Sequence, residues 1–353
     1  CTPYRAFDSV GHLREEYAKR VGAQAAQSVI VPFELDEAIK KQLHRKLPPL
    51  PSTRREINQI LDFIFTDLHL RYSLTPTRDA VGAFNTLEGN CLTFVNLFVG
   101  IARNQKLDPF YVEVVDYQRW NRREGMVVSQ GHIVAGMYLE GELKTYDFLP
   151  YRPKAYRNFK PIDDLTAAAH FYNNLGAERL IAGDEEGAEK MLQIANDIAP
   201  RFEKAINNLG VVSARQGNFE RALELYRRGL EVSPDDSLIL TNLARSYQGL
   251  GRLDEAQATL ARVESMNTTN PFFFVYEAEV ALARGDQDRA LEYLTRALRQ
   301  DSEVPEVHLG FVKFYLALGD VEKARHHLER ALKLDSTNPD ALGYAKLLMK
   351  GTS

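Results

Sequence analysis

The sequence predicts two architectures in one chain, an α+β N-terminal domain followed by an all-α solenoid of stacked helical hairpins. Three observations predict it. Ala188, Ala222, Ala256, Ala290 and Ala324 follow one another at 34-residue steps, and Gly183, Gly217, Gly251, Gly285 and Gly319 step in register five residues ahead of them. Two small-residue ladders with one period mark repeats built of a helix pair, each burying its apolar face against its neighbours. Before residue 165 the period is absent, and helical spacing gives way to β-branched and aromatic runs such as Phe110-Tyr111-Val112-Glu113-Val114-Val115.

A length of 353 residues fits two domains or a domain plus a repeat array. Hydrophobic residues at 44% and charged ones at 26% supply an ordinary core and a solvated surface. The formal charge of −4 lacks the basic footprint of a nucleic-acid binder. No apolar run reaches the roughly 18 to 20 residues that span a bilayer.

Residues 1–51 read as a tether with peripheral helices at Asp8 to Arg20 and Glu34 to Lys46, closed by Leu47-Pro48-Pro49-Leu50-Pro51. From Ser52 the signals sharpen. Ser52 to Glu56 starts like a capped helix, with Ile57, Ile60, Leu61, Ile64 and Phe65 at the spacing of one buried face. A loop-rich stretch follows, in which Asn85, Glu88 and Asn90 are candidates to line a cleft, although ordinary turn chemistry accounts for Asn and Gly equally well.

The chemistry concentrates at Glu88-Gly89-Asn90-Cys91, where a turn runs into a thiol that opens a long apolar segment. Cys91 is expected at a helix N-terminus, where unpaired N–H groups and the helix dipole favour thiolate. A lone cysteine is as often a structural one. Two partners follow it. His132 stands in an alternating strand, Glu140-Gly141-Glu142 makes a turn, and Leu143 to Phe148 returns as a second strand carrying Asp147. A hairpin brings His132 and Asp147 together, which fills the roles of nucleophile, base and orienting carboxylate.

Asn90-Cys91 opening an apolar helix, Gly131-His132 on a strand and Tyr146-Asp147-Phe148 after a hairpin resemble the bacterial transglutaminase-like superfamily, whose thiol enzymes share a papain-like fold. The resemblance covers roughly residues 52 to 160 and implies Cys91 as nucleophile, His132 as base and Asp147 as third member. It implies an amide-containing protein or peptide substrate without choosing hydrolysis or transfer. Ile133-Val134-Ala135 departs from the aromatic residue that many members carry after the histidine.

Asp116 to Gly125, with the single Trp120 beside Arg119, Arg122 and Arg123, reads as an exposed loop. The basic and aromatic run Tyr151 to Pro161 reads as a linker at the domain boundary. Beyond it, Leu175-Gly176, Leu209-Gly210, Ala195, Ala297, Ala331, Pro200 and Pro234 resemble tetratricopeptide repeats, five of them with Asp340 to Lys350 as a terminal helix. The resemblance implies a curved solenoid whose groove binds a protein or peptide partner. Glu277-Ala278 and Phe311-Val312 depart from the Leu-Gly of the earlier repeats, and Pro271 falls three residues late. Asn174, Asn208 and Asn242 recur on the first helices, as structural residues or as contacts to a bound backbone, and Lys204 is the nearest candidate to grip a carboxylate.

The chain's two cysteines are Cys91 and Cys1. Cys1-Thr2-Pro3 resembles the mature end of a bacterial lipoprotein, which implies a lipid on Cys1 as the only membrane contact and a cell-envelope, periplasm-facing location; a cytoplasmic location is the alternative. The eight histidines form no His-Glu-x-x-His pattern and no Gly-rich phosphate loop appears, so neither metal nor cofactor is expected. The expected domains are therefore the tether at 1–51, a thiol-enzyme domain at 52–165 and the repeats at 166–353. The expected function is a cysteine-dependent amide-bond enzyme, a peptidase, amidase or transglutaminase-type acyltransferase, with a partner-binding array; the alternative is a catalytically inactive transglutaminase-like scaffold or an envelope-assembly adaptor acting through its repeats.

Overall fold

The computed structural model describes residues 7, 9–123, 126–149, 158–266 and 268–350. Cys1 and the basic residues Arg152, Lys154 and Arg157 of the 151–161 run lie outside them, as do the side chains of residues 116–131, Trp120 among them. The chain divides into two compact units, the first holding the chain up to Val232 apart from residues 124–127, and the second the chain from Ser233 onward. That division falls two hairpins after the repeats begin in sequence.

In the first unit, helices α1 (Val10–Val21), α2 (Ala23–Ser28) and α3 (Glu37–Lys46) precede α4 (Thr53–Asp62). They are not a loose tether. Leu13, Tyr17, Val31, Phe33, Ile39 and Leu43 are buried in the same core as α4 and the later helices. Alternating apolar stripes on short helices leave no other way to remove that surface from water.

Helix α4 runs into a π turn, Phe63–Asp67, whose extra residue shifts the phase of the apolar stripe. Phe63 and Ile64 are buried as a result, while Phe65, expected on the buried face, is 46% exposed and stacks on Phe148. Ser52 occupies the cap position without a side-chain cap bond; Glu56 instead accepts from the backbone N–H of Leu50 at 3.2 Å.

Short parallel strands β1 (Arg71–Tyr72) and β2 (Glu88–Gly89) flank α5 (Ala80–Thr86) and deliver the chain to α6 (Cys91–Asn104). Every residue of α6 from Leu92 to Ala102 is buried, as its all-round apolar sequence requires. Gly100 permits this, because a Cβ there would collide with the backbone carbonyl of Phe33.

The sheet has the order β5-β4-β3-β6, with β3 (Phe110–Arg123), β4 (Met126–Leu139), β5 (Glu142–Tyr146) and β6 (Phe159–Ile162). The backbone of β3 continues to Arg123, so the loop expected from Asp116 is strand for most of its length. Charged residues misled the sequence reading there, since a strand edge or tip tolerates them.

Hairpins α7 (Asp164–Ala182) with α8 (Glu185–Ile198) and α9 (Glu203–Arg215) with α10 (Phe219–Val232) complete the unit. The second unit stacks α11 (Ser237–Gly249), α12 (Leu253–Ser265), α13 (Pro271–Ala283), α14 (Gln287–Gln300), α15 (Pro305–Ala317) and α16 (Val321–Leu334) under α17 (Pro339–Lys350). These are the five helix pairs and terminal helix that the periodicity predicts. The five ladder alanines are at most 2% exposed, and the five ladder glycines turn the chain at φ between 72° and 84°.

Pro271 is not out of place. It holds the first position of α13, capped by Asn270, and Pro305 and Pro339 hold the same position at 34-residue intervals. There the missing N–H costs nothing and the fixed φ suits a helix start.

Candidate active site

Asn90 caps α6, its Oδ1 accepting from the backbone N–H of Thr93 at 3.0 Å. Cys91 therefore holds the first helical position, where the backbone N–H has no partner within the helix. Its side chain is a partly exposed free thiol and is not sealed in hydrocarbon.

The β4–β5 register pairs Ala135 with Tyr146, so Asp147 follows opposite Val134, two residues along β4 from His132. That diagonal is within reach of a side-chain hydrogen bond. His132 Nε2 lies 3.1 Å from Asp147 Oδ1, and the same oxygen accepts from the backbone N–H of Leu149 at 3.1 Å. The rings on either side of Asp147 are anchored on the helix that carries the thiol: Tyr146 and Phe148 lie 5.3 Å and 5.7 Å from Phe98, centroid to centroid. One apolar helix thus fixes both ends of the constellation.

His132 is 1% exposed. Burial works against charge on the ring and is the largest single influence, yet Asp147 and the adjacent Cys91 thiol together outweigh it and push the pKa up to about 9. With Nε2 occupied by Asp147, Nδ1 is the ring nitrogen left for the thiol. The structure brings the side chains of Cys91, His132 and Asp147 together.

The other sequence candidates separate. Glu88 pairs with Arg78 at 2.7 Å, and Asn85 is exposed at the end of α5. Lys204 is not free to grip a carboxylate, because it forms an ion pair with Glu113 on β3, both side chains being 11% exposed. Burial would raise the Glu113 carboxyl, but the Lys204 ammonium beside it holds it below the usual carboxylate range, while the buried His170 ring, pushed down to about 3, is neutral. Asn208 and Asn242 are wholly buried, and Asn208 donates to Asn173 at 2.8 Å, so these two serve the stack itself.

Sequence reasoning missed the polar residues around the cap. Asn90 Nδ2 donates to Thr77 Oγ1 at 2.6 Å, and Thr77 donates in turn to Glu178 on α7. Glu178 lies far along the chain in a repeat helix, and no local motif marks it.

Residues 213–271 and 281–347 match the family model described as tetratricopeptide repeat. Among curated proteins, the chain is 29% identical over 99 residues to the photosystem I assembly protein Ycf3 of Synechococcus sp. (strain CC9605), covering 27% of this chain and 57% of that one. It is 28% identical over 88 residues to the small glutamine-rich tetratricopeptide repeat-containing protein 2 of Mycosarcoma maydis, 25% of each chain. The chain thus spans a quarter to just over half the length of these relatives. A thermophilic TPR protein of Thermus thermophilus superposes with a TM-score of 0.46 at 20% identity, over 51% of this chain and 98% of that one. The C-terminal part of the chain is an array of tetratricopeptide repeats.

Proposed function

We propose that the chain is a repeat-based binder of a protein or peptide partner whose first unit carries a transglutaminase-like thiol centre acting on amide bonds. The repeat match supports the binding half, since arrays of this kind present extended surfaces to peptides. The observation that carries the thiol half is the convergence of Cys91, His132 and Asp147 around a buried ring.

In this reading His132 already holds the proton near neutral pH, and the sulfur of Cys91, paired with the imidazolium as a thiolate, bonds to the amide carbonyl carbon. The backbone N–H of Cys91 donates to the oxyanion. His132 gives its proton to the nitrogen as the C–N bond breaks, releasing an amine and leaving a thioester. Water or a second amine then attacks the thioester, His132 takes its proton, and the thiolate is restored with an acid or a new amide as product. Asp147 holds the ring in place and stabilises its charge throughout.

A second reading, an adaptor that uses its repeats alone, is favoured by the position of the family match, which begins well after Asp147. Iodoacetamide separates the two. Near neutral pH, Cys91 in the folded protein should alkylate far faster than the same cysteine in the urea-unfolded chain, and His132→Ala should abolish the difference. An unfolded-like rate in the native protein removes the enzyme and leaves the adaptor.

A further inference from the structure

The polar residues behind the thiol form a chain in which every donor is forced. The backbone N–H of Thr93 can only donate, so the Asn90 amide must turn its oxygen toward it. The Asn90 nitrogen then points the other way, toward Thr77 Oγ1 at 2.6 Å and the Leu74 carbonyl at 3.4 Å. With that oxygen accepting, the Thr77 hydroxyl sends its own proton onward, to Glu178 Oε1 at 2.6 Å. The backbone N–H of Thr77 adds bonds of 2.9 Å and 3.1 Å to the two carboxylate oxygens. A parallel branch ties the same cap: Thr93 Oγ1 lies 3.1 Å from Asn90 Oδ1 and accepts from the backbone N–H of Arg78 at 2.8 Å.

We infer that Glu178, on the first helix of the first repeat, is a positioning residue for Cys91, acting as the terminal acceptor that fixes the orientation of the Asn90 cap. The inference rests on reading Cys91 as the nucleophile. A carboxylate is suited to the end of such a relay because it only accepts; a donor at that place would reverse the Thr77 hydroxyl and set its proton against the Asn90 nitrogen. Asn90 is 7% exposed and Thr77 4%, so water has little access to take over from either. Glu178 itself is kept in a partly buried position, where burial raises its carboxyl and the Thr77 donors pull it back.

The consequence is that the first repeat belongs to the thiol centre and is not a separate partner-binding appendage. Helix α7 carries Glu178 toward the loop before α5, while Phe171 and Tyr172, about two turns earlier on the helix, are buried in the same core as α6. A rearrangement of α7 would therefore be felt at the cap of α6.

Three full-length variants test this, each read by two measurements. Hydrogen exchange of the segment spanning residues 87–97 reports whether the first turn of α6 stays capped; iodoacetamide alkylation across pH 5 to 9.5 reports the thiol. Glu178→Ala should speed exchange in that segment, slow Cys91 alkylation about tenfold near neutral pH and displace its pH–rate profile. Thr77→Val, which keeps the shape and removes the link, should do the same and carries the test if Glu178→Ala does not fold. Glu178→Gln keeps an acceptor oxygen and should remain within about twofold of the native rate.

Native exchange and a native pH–rate profile in both Glu178→Ala and Thr77→Val would overturn the inference. A fall in alkylation with an unaltered profile and an equal loss in Glu178→Gln would overturn it too, since mere loosening of the fold explains that pattern. An ordinary, slow thiol in the unmodified protein sinks the enzymatic reading instead, and the exchange measurement still decides whether Glu178 holds the cap.

Discussion

His132 Nε2 and Asp147 Oδ1 lie 3.1 Å apart across a strand pair, with the ring 1% exposed. A buried imidazole would ordinarily be neutral, so its raised pKa of about 9 is a product of this carboxylate and of the thiol beside it.

That relationship predicts a specific pH dependence. The folded value exceeds the ordinary 6.5 of an unfolded histidine, so the folded protein holds the proton more tightly. The resulting stability, on the order of 3 kcal/mol, is fully present below pH 6.5 and is lost as pH rises through 9. Asp147→Asn should lower the ring's pKa and flatten the stability profile over that window. An NMR titration of His132 checks it; an unchanged midpoint in Asp147→Asn would show that the carboxylate does not govern the ring.

In the second unit, Glu277 stands where the earlier repeats carry Leu175, Leu209 and Leu243. It borders a cavity of about 790 Å³ with Leu260, Tyr276 and Tyr293, and burial, reinforced by Glu264, raises its carboxyl to about 7. A raised carboxyl binds its proton more tightly when folded, so this contribution is present below pH 4.5 and disappears as pH rises through 7. Glu277→Leu should therefore stabilise the protein at pH 8, by roughly 1 to 2 kcal/mol once solvent screening is discounted. Urea unfolding at pH 8 and pH 5 measures it, the gain being expected at pH 8 and much reduced at pH 5. An equal gain at both values would refute the electrostatic explanation.

Gly100 offers a test of how closely α6 is held. Helix propensity alone would make Gly100→Ala stabilising by about 1 kcal/mol. The collision of the new Cβ with the Phe33 carbonyl, with Leu35 packed alongside, should instead cost roughly 1 to 3 kcal/mol. Thermal unfolding decides the sign, and a rise in Tm would place Phe33 farther from the helix than the fold described above.

The legible parts of the sequence were those governed by local rules. A 34-residue step in small residues dictates helix pairs, because the ladder glycines turn the chain at positive φ and the ladder alanines are buried between helices; Gly176 and Gly210 add close approaches where a Cβ would stand 2.5 Å from Leu192 and Tyr226. Asn90-Cys91 before an apolar run dictates a capped helix with a thiol at its start. Alternation and a Glu-Gly-Glu turn dictate the hairpin that pairs His132 with Asp147.

Other features depended on three-dimensional packing. The π turn after α4 turned Phe65 outward, and the ion pair with Glu113 removed Lys204 from service. Residues 7–50 read as peripheral because their stripes are short, but those stripes found room in the core around α6. Glu178 is the clearest instance: a glutamate in a repeat helix is ordinary in sequence, and only the approach of α7 to the Thr77 loop makes it the end of a hydrogen-bond chain. The sequence by itself determined most of the elements and the placement of Cys91, His132 and Asp147 within them, because periodicity, capping and turns act over a few residues. The tertiary structure alone decided which distant carboxylate ends the hydrogen-bond chain from the α6 cap and which lysine is spent, because burial and hydrogen-bond satisfaction are set by neighbours the chain brings together only when folded.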